Sequence, residues 1–243
     1  MPAEETALAA PGGSAVHEFF GGVRTAAPII LGYLPIGFAY GIIAVKTGLS
    51  TLEAVLMSVL VYAGASQFIA VGLIGTGAEW GTIVVTTFLV NLRHLLMSAA
   101  LFPRLRRLRP PVLAGLAFEL TDETFALAAT VFEKRAATAP FLAGLQLTAQ
   151  FTWVLSSLAG ALSGSLFTDV NKFGLDFALP AMFIALLVLQ LRSRVHLAAA
   201  GIAAASSLLF AHLIPGSLNV ILAAVTAATA GVLLEGVMKK RAN

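Results

Sequence analysis

Apolar runs of about 16–25 residues, separated by short polar loops, repeat from Ala26 to the C-terminus. Their apolar character is continuous and does not alternate, which predicts helices and excludes a lipid-exposed β-barrel pattern. Runs fall at 26–45, 54–74, 82–101, 112–132, 141–166, 178–191, 197–213 and 218–236. Each approaches the roughly 20 residues that a helix needs to cross a hydrocarbon core about 30 Å thick. The expected class is an all-α, polytopic membrane protein with seven or eight hydrophobic spans. Residues 1–18 are small, polar and acidic and read as a flexible tail, and residues 19–243 read as a single membrane domain.

Composition supports this pattern. Hydrophobic residues make up 58% of the 243-residue chain, charged residues 11%, and mean hydropathy is +0.92. Soluble domains carry about 25% charged residues. The net charge of +3 does not indicate nucleic acid, because the basic residues gather beside span ends. The chain has no cysteine, which removes thiolate chemistry and disulfides.

Basic loops orient the spans. The strongest cytoplasmic signal is "PRLRRLRPP" (103–111), followed by "QLRSRVH" (190–196), the terminal "KKR" (239–241) and "EKR" (133–135). Eight full crossings cannot place all four on one side. The conflict disappears if the 112–132 run enters and returns. Its "LTDETF" offers a reason: Thr121 followed by Asp122 and Glu123 resembles a capped helix start, so two half-helices would meet near Leu120. A continuous helix carrying these acids mid-span is the plainer alternative. Under the re-entrant topology, spans 1–3 and 5–7 would run in opposite directions as an inverted three-helix repeat with kinked or discontinuous helices. "GLSTLEAVLMSVLV" (48–61) and "GLDFALPAMFIALLV" (174–188) give this faint support.

Candidate chemistry lies inside the spans. In "GYLPIGFAYG" (32–41), Pro35 removes a helix hydrogen bond, and Gly32, Gly37 and Gly41 allow opening or close packing. In "VYAGASQF" (61–68), Gln67 needs partners, and Gly64 and Ser66 beside it remove bulk. Both stretches read equally well as helix packing or as walls of a substrate site.

In "LVNLRHLLM", Asn91 and His94 share a helix face while Arg93 points elsewhere. An arginine at mid-depth costs about 2.5–3.5 kcal/mol on the mildest scale and by default marks a functional site. Glu119, Asp122 and Glu123 supply counter-charges, the simplest neutralisation pairing Arg93 with Asp122 or Glu123. A carboxylate left over is a candidate proton carrier, and Asp122, nearest the centre of its run, is the favoured one. No nucleotide-binding loop, hydrolase elbow or zinc-binding motif occurs, and no cofactor or metal is expected.

Taken in order, "GYLPIGFAYG", "LMSVLVYAGASQF", "LVNLRHLLM", "LTDETFAL" and "GLDFALPAMFIALL" resemble the AzlC-type family of branched-chain amino-acid exporters. The resemblance runs from about Phe19 to Glu235. It implies an inner-membrane exporter of leucine, isoleucine, valine and sometimes methionine, coupled to protons and working with a small four-helix AzlD-type membrane partner. A passive channel, a lipid-modifying intramembrane enzyme and a structural subunit of a larger complex remain the rival readings.

Overall fold

The structure is a computed structural model. It describes residues 14–166 and 194–213 without interruption, together with positions 174, 177, 180–181, 184, 187–188, 191 and 222–236 (224, 228 and 235 excepted). The chain divides into two compact units, Met1–Ala181 and Met182–Asn243.

In the first unit the elements are α1 (Ala15–Thr25), α2 (Ala27–Lys46), α3 (Thr51–Leu60), α4 (Gly64–Gly75), α5 (Trp80–Leu105), α6 (Pro110–Phe118), α7 (Asp122–Phe132) and α8 (Ala139–Ser163). A short 3₁₀ turn follows at Gly164–Leu166. In the second unit α9 is Arg194–Leu213. Among the described residues three helices are long and apolar enough to cross a membrane: α2, α5 and Val195–Leu213 of α9. Fewer runs than the expected seven or eight therefore cross as single helices. The expected span at 178–191, the middle span of the second half of the proposed repeat, "QLRSR" and the terminal "KKR" lie largely or wholly outside the described residues, and the span at 218–236 is described only in part.

α1 and α2 lie along α8 in the same direction. A Cβ on Gly22 would collide with the Phe141 carbonyl, one on Gly144 with that of Phe19, one on Gly41 with that of Ser157, and one on Gly160 with that of Phe38. At Gly164 the neighbour is the Val45 side chain. The numbers rise together on both helices, so the pair is parallel, with backbones brought close by small residues. Spans 1 and 5 thus run the same way, contrary to the inverted-repeat expectation.

The reason is that the 54–74 run does not cross. It breaks at residues 61–63, where Tyr62 adopts φ +40°. The Ala54 carbonyl accepts from the Tyr40 hydroxyl at 3.3 Å, Ser58 bonds Ser157 at 2.9 Å, and the Val59 carbonyl accepts from Gln150 at 3.4 Å. α3 therefore descends antiparallel to α8. Beyond the break α4 climbs back: Gly64 lies against the Trp153 indole, Phe68 against Tyr40, and Gly75 against Thr47, the cap of α2. Both ends of residues 51–75 sit at the C-terminal end of α2. This is a re-entrant hairpin, unanticipated in the sequence.

Residues 110–132 form a second hairpin, entering from the opposite end. Leu113 and Leu116 face Leu142 and Gln146 of α8, and Phe132 packs edge-on against Phe141 with ring centroids 5.9 Å apart. Both outer ends therefore lie beside the start of α8. The break falls at Glu119–Thr121, where the Thr121 side chain caps α7 in a reciprocal box with Thr124. The expected pair of half-helices meeting near Leu120 is present.

Between the hairpins, α5 runs 26 residues from one end of the unit to the other, antiparallel to α2. It touches the first tip through Asn91 and the second through Arg93.

Of the two readings of the Pro35 stretch, a packing helix or an opened one, α2 takes the first: the helix is continuous from Ala27 to Lys46. Pro35 faces outward, and the Tyr33 carbonyl just before it accepts the Ser156 hydroxyl at 3.2 Å. Contacts with α8 thus support the helix beside the proline, as neighbouring helices do for membrane prolines.

Candidate functional site

The two hairpin tips meet α2, α5 and α8 midway along the unit. The first tip is fixed by a buried polar chain. The Trp153 indole donates to Gln67 Oε1 at 3.0 Å, Gln67 Nε2 donates to Ser58 at 3.1 Å, and Ser58 bonds Ser157. Gln67 is fully enclosed with both ends of its amide satisfied, so it braces the tip. Gly64 leaves room for the Trp153 ring. Ser66 accepts from Asn91 Nδ2 at 3.1 Å and donates to the Ala63 carbonyl, tying α4 to α5.

α4 starts at this tip without a side-chain cap, since Ala63 has none to offer. Its first amides are left directed toward mid-unit, at the positive end of a helix dipole.

The second tip carries the charge. Arg93 pairs with Asp122 at 2.8 Å, the neutralisation expected from the sequence, and both side chains stay partly accessible at 26% and 17%. Tyr33 donates to Glu123 at 2.7 Å and lies 2.9 Å from the Thr121 hydroxyl. Glu119 has left the helix that holds Asp122 and Glu123, so the three acids do not form the single helical face that an unbroken span would give. Asp122 is committed to Arg93; Glu119 and Glu123 are the carboxylates here without a basic partner among the described residues.

Around these groups five buried polar atoms make no hydrogen bond: Tyr62 Oη, Asn91 Oδ1, Arg93 Nε, His94 Nε2 and Glu119 Oε2. Native interiors leave few such atoms, and each calls for an explanation such as water, an ion or a ligand. Here they come from the first tip, the middle of α5 and the second tip.

Not every residue singled out in the sequence joins this site. Gly32 and Pro35 face away from the packed interior of the unit, and Gly37 is a contact with Ser156 of α8. Gly64, Ser66 and Gln67 shape and brace the first tip. Asn91, Arg93, His94, Glu119, Asp122 and Glu123 supply its polar groups. Sequence reasoning missed Tyr33, Tyr62, Thr121 as a partner of Tyr33, and Trp153. A tyrosine or tryptophan inside an apolar run has a polar tip to satisfy, and that was the available signal.

A second ion pair sits at the end of the unit. Glu18 of α1 accepts from Arg135 at 2.7 Å and Thr138 at 2.9 Å, and the Arg135 guanidinium lies 4.2 Å from the Phe141 ring centroid. Burial opposes the charge of Glu18, but these hydrogen bonds and the cation outweigh it and hold the carboxyl below its usual range.

Known proteins resemble the chain along this same stretch. Residues 28–167 match the family described as AzlC protein. An uncharacterized membrane protein of Archaeoglobus fulgidus is 37% identical over 211 residues, covering 86% of this chain and 90% of the relative. The inner membrane protein YgaZ of Escherichia coli is 32% identical over 185 residues, 74% of each chain. The branched-chain amino acid transport protein AzlC of Bacillus subtilis is 28% identical over 188 residues, covering 75% of this chain and 73% of the relative. No solved structure matches. This chain, with its two half-length hairpins meeting around Arg93, is a membrane protein of the AzlC family.

Proposed function

We propose that the protein is a secondary transporter that exports branched-chain amino acids across the inner membrane, coupled to protons and assisted by a small AzlD-type membrane subunit. The observation that carries this reading is the gathering of unpartnered buried polar atoms where the two tips meet. Discontinuous helices that present backbone ends at mid-membrane are a recurring way of holding small charged solutes. The name of the Bacillus relative points to the substrate class.

A zwitterion asks for donors at one end and acceptors at the other. The uncapped start of α4 and Arg93 Nε offer donors to a carboxylate. Glu119 offers a free carboxylate oxygen to an ammonium. Glu123, held by the Tyr33 hydroxyl, is the second acid available to carry a proton. The protein acts by binding and moving its solute, and no covalent step is assigned to it.

The test is leucine efflux from loaded vesicles, with and without the small partner, and with the proton gradient intact or collapsed. Saturable efflux that accelerates on applying the gradient supports the reading. Flux that is linear in concentration and indifferent to the gradient replaces it with a passive channel, the second reading that opposed re-entrant hairpins favour.

A further inference from the structure

A cavity of about 110 Å³ lies between the last turns of α5, the entering half-helix α6 and the first turns of α8, and reaches the second tip at Leu120. Its walls are Leu101, Phe102, Leu105, Leu113, Leu116 and Leu142, with Ser98, Ala117, Leu120 and Gln146 completing them. Gln146 is 1% exposed; its Nε2 donates to the Leu116 carbonyl at 2.9 Å, while its Oε1 has no partner. The cavity is thus an apolar recess, open on one side past Phe102, with one buried acceptor in its wall.

Size and chemistry limit the occupant. An apolar cavity of about 150 Å³ admits benzene, so this smaller one fits a branched group of four carbons. The free amide oxygen asks for an N–H donor beside that group. A branched aliphatic amine or amino acid meets both conditions.

The cavity adjoins the second tip only at Leu120, and most of its wall lies toward the basic end of the unit. Its midpoint, near Leu101, lies eight residues beyond Arg93 on α5, about 12 Å along the helix. A molecule of leucine's size reaches only about 6–7 Å at ordinary bond lengths, so one molecule cannot engage both.

We propose that this cavity is a second seat for the amino acid, between the basic end of the unit and the tips. The branched side chain fills the hole and the ammonium donates to Gln146 Oε1. The inference rests on the transport reading. It adds a place where substrate is selected for shape before it reaches Arg93.

Photo-leucine, whose diazirine sits in the side chain, tests it in the full-length protein in bilayers. The expected result is adducts at two places, the tips and residues 98–117 or 142–146, both displaced by leucine. Leu116→Phe, which fills the hole but keeps the backbone carbonyl that Gln146 uses, should lower the second adduct about tenfold and spare the first. Leu113→Trp fills the hole from another wall and serves if the first variant fails to insert. Adducts at the tips alone would overturn the second seat and leave the transport reading standing. A diazirine phospholipid that labels the cavity, undisplaced by leucine, would also overturn it by making the hole a lipid seat. Absence of leucine flux and of any leucine-displaceable adduct in the wild-type protein would remove both.

Discussion

Arg93 is where residue chemistry decides most. Pairing with Asp122 neutralises its charge, yet Nε stays buried without a partner. Under the transport reading, Arg93→Ala should abolish leucine efflux while membrane abundance stays within about twofold, measured by vesicle flux and immunoblot. Arg93→Lys should remain poor, since an ammonium does not reproduce a planar two-pronged donor. The acids separate coupling from binding. Glu119→Gln or Glu123→Gln fixes one acid in a neutral form, so the carrier's variant should lose gradient-driven efflux yet keep leucine–leucine exchange. Loss of both in an inserted protein would place that acid on the substrate's ammonium instead. Tyr62→Phe removes a hydroxyl that lies beside that of Tyr33 without a well-formed hydrogen bond, so melting temperature should change little while flux falls.

Glu18 titrates in a different sense. Its carboxyl is held below the unfolded range, so its stabilising effect is complete above the unfolded value and disappears as pH falls through the lower, folded one. Thermal melts of the wild type should therefore lose stability on acidification more steeply than those of Glu18→Gln.

At the scale of elements, the packing of α2 on α8 depends on positions that admit no side chain. A Cβ at Gly41 would overlap the Ser157 carbonyl and the Ala161 amide, both backbone groups that cannot swing aside. Gly41→Val should cost several kcal/mol by forcing parallel helices apart, read as loss of monodisperse protein on extraction. Gly32→Ala, with nothing near the added methyl, should be neutral. The sequence marked both glycines alike, because spacing alone does not say which side of a helix finds a neighbour.

The two breaks differ in the same way. The one at 119–121 was legible, since a threonine followed by two acids is the chemistry of a helix start. The one at 61–63 rests on a tyrosine with positive φ, a conformation costing about 1–3 kcal/mol that surrounding contacts impose. No residue type announces it. Pro35 left packing and opening equally open, because the contacts with α8 that decide between them are absent from the local sequence.

On the scale of the whole molecule, two segments that do not cross change the bookkeeping of sides. Within the first unit, Arg24, the arginines at 104–109, Lys134 and Arg135 share one end, and Lys46 lies at the other. By the positive-inside bias the basic end is cytoplasmic. Single cysteines at Arg107 and Lys134, in a chain that has none, should react with an impermeant thiol reagent only from the cytoplasmic face. Cysteines at Lys46 and Ala78 should react only from the outer face. Labelling of Lys46 and Ala78 from different faces would turn residues 51–75 into a full span. The charge conflict among the loops was readable from sequence, but only one of the two non-crossing segments was needed to relieve it there.

The polar chain that braces the first tip also has a history in time. Gln67 and Ser58 find Trp153 and Ser157 only after α8 has been made, some ninety residues later in the chain. Until then a glutamine amide and a serine hydroxyl stand in hydrocarbon with only each other to bond, their α8 partners not yet made. The first hairpin is therefore an element that synthesis delivers unfinished. Nascent chains that stop short of α8 should leave residues 51–75 as prey for membrane proteases, and chains that include Ser157 should not.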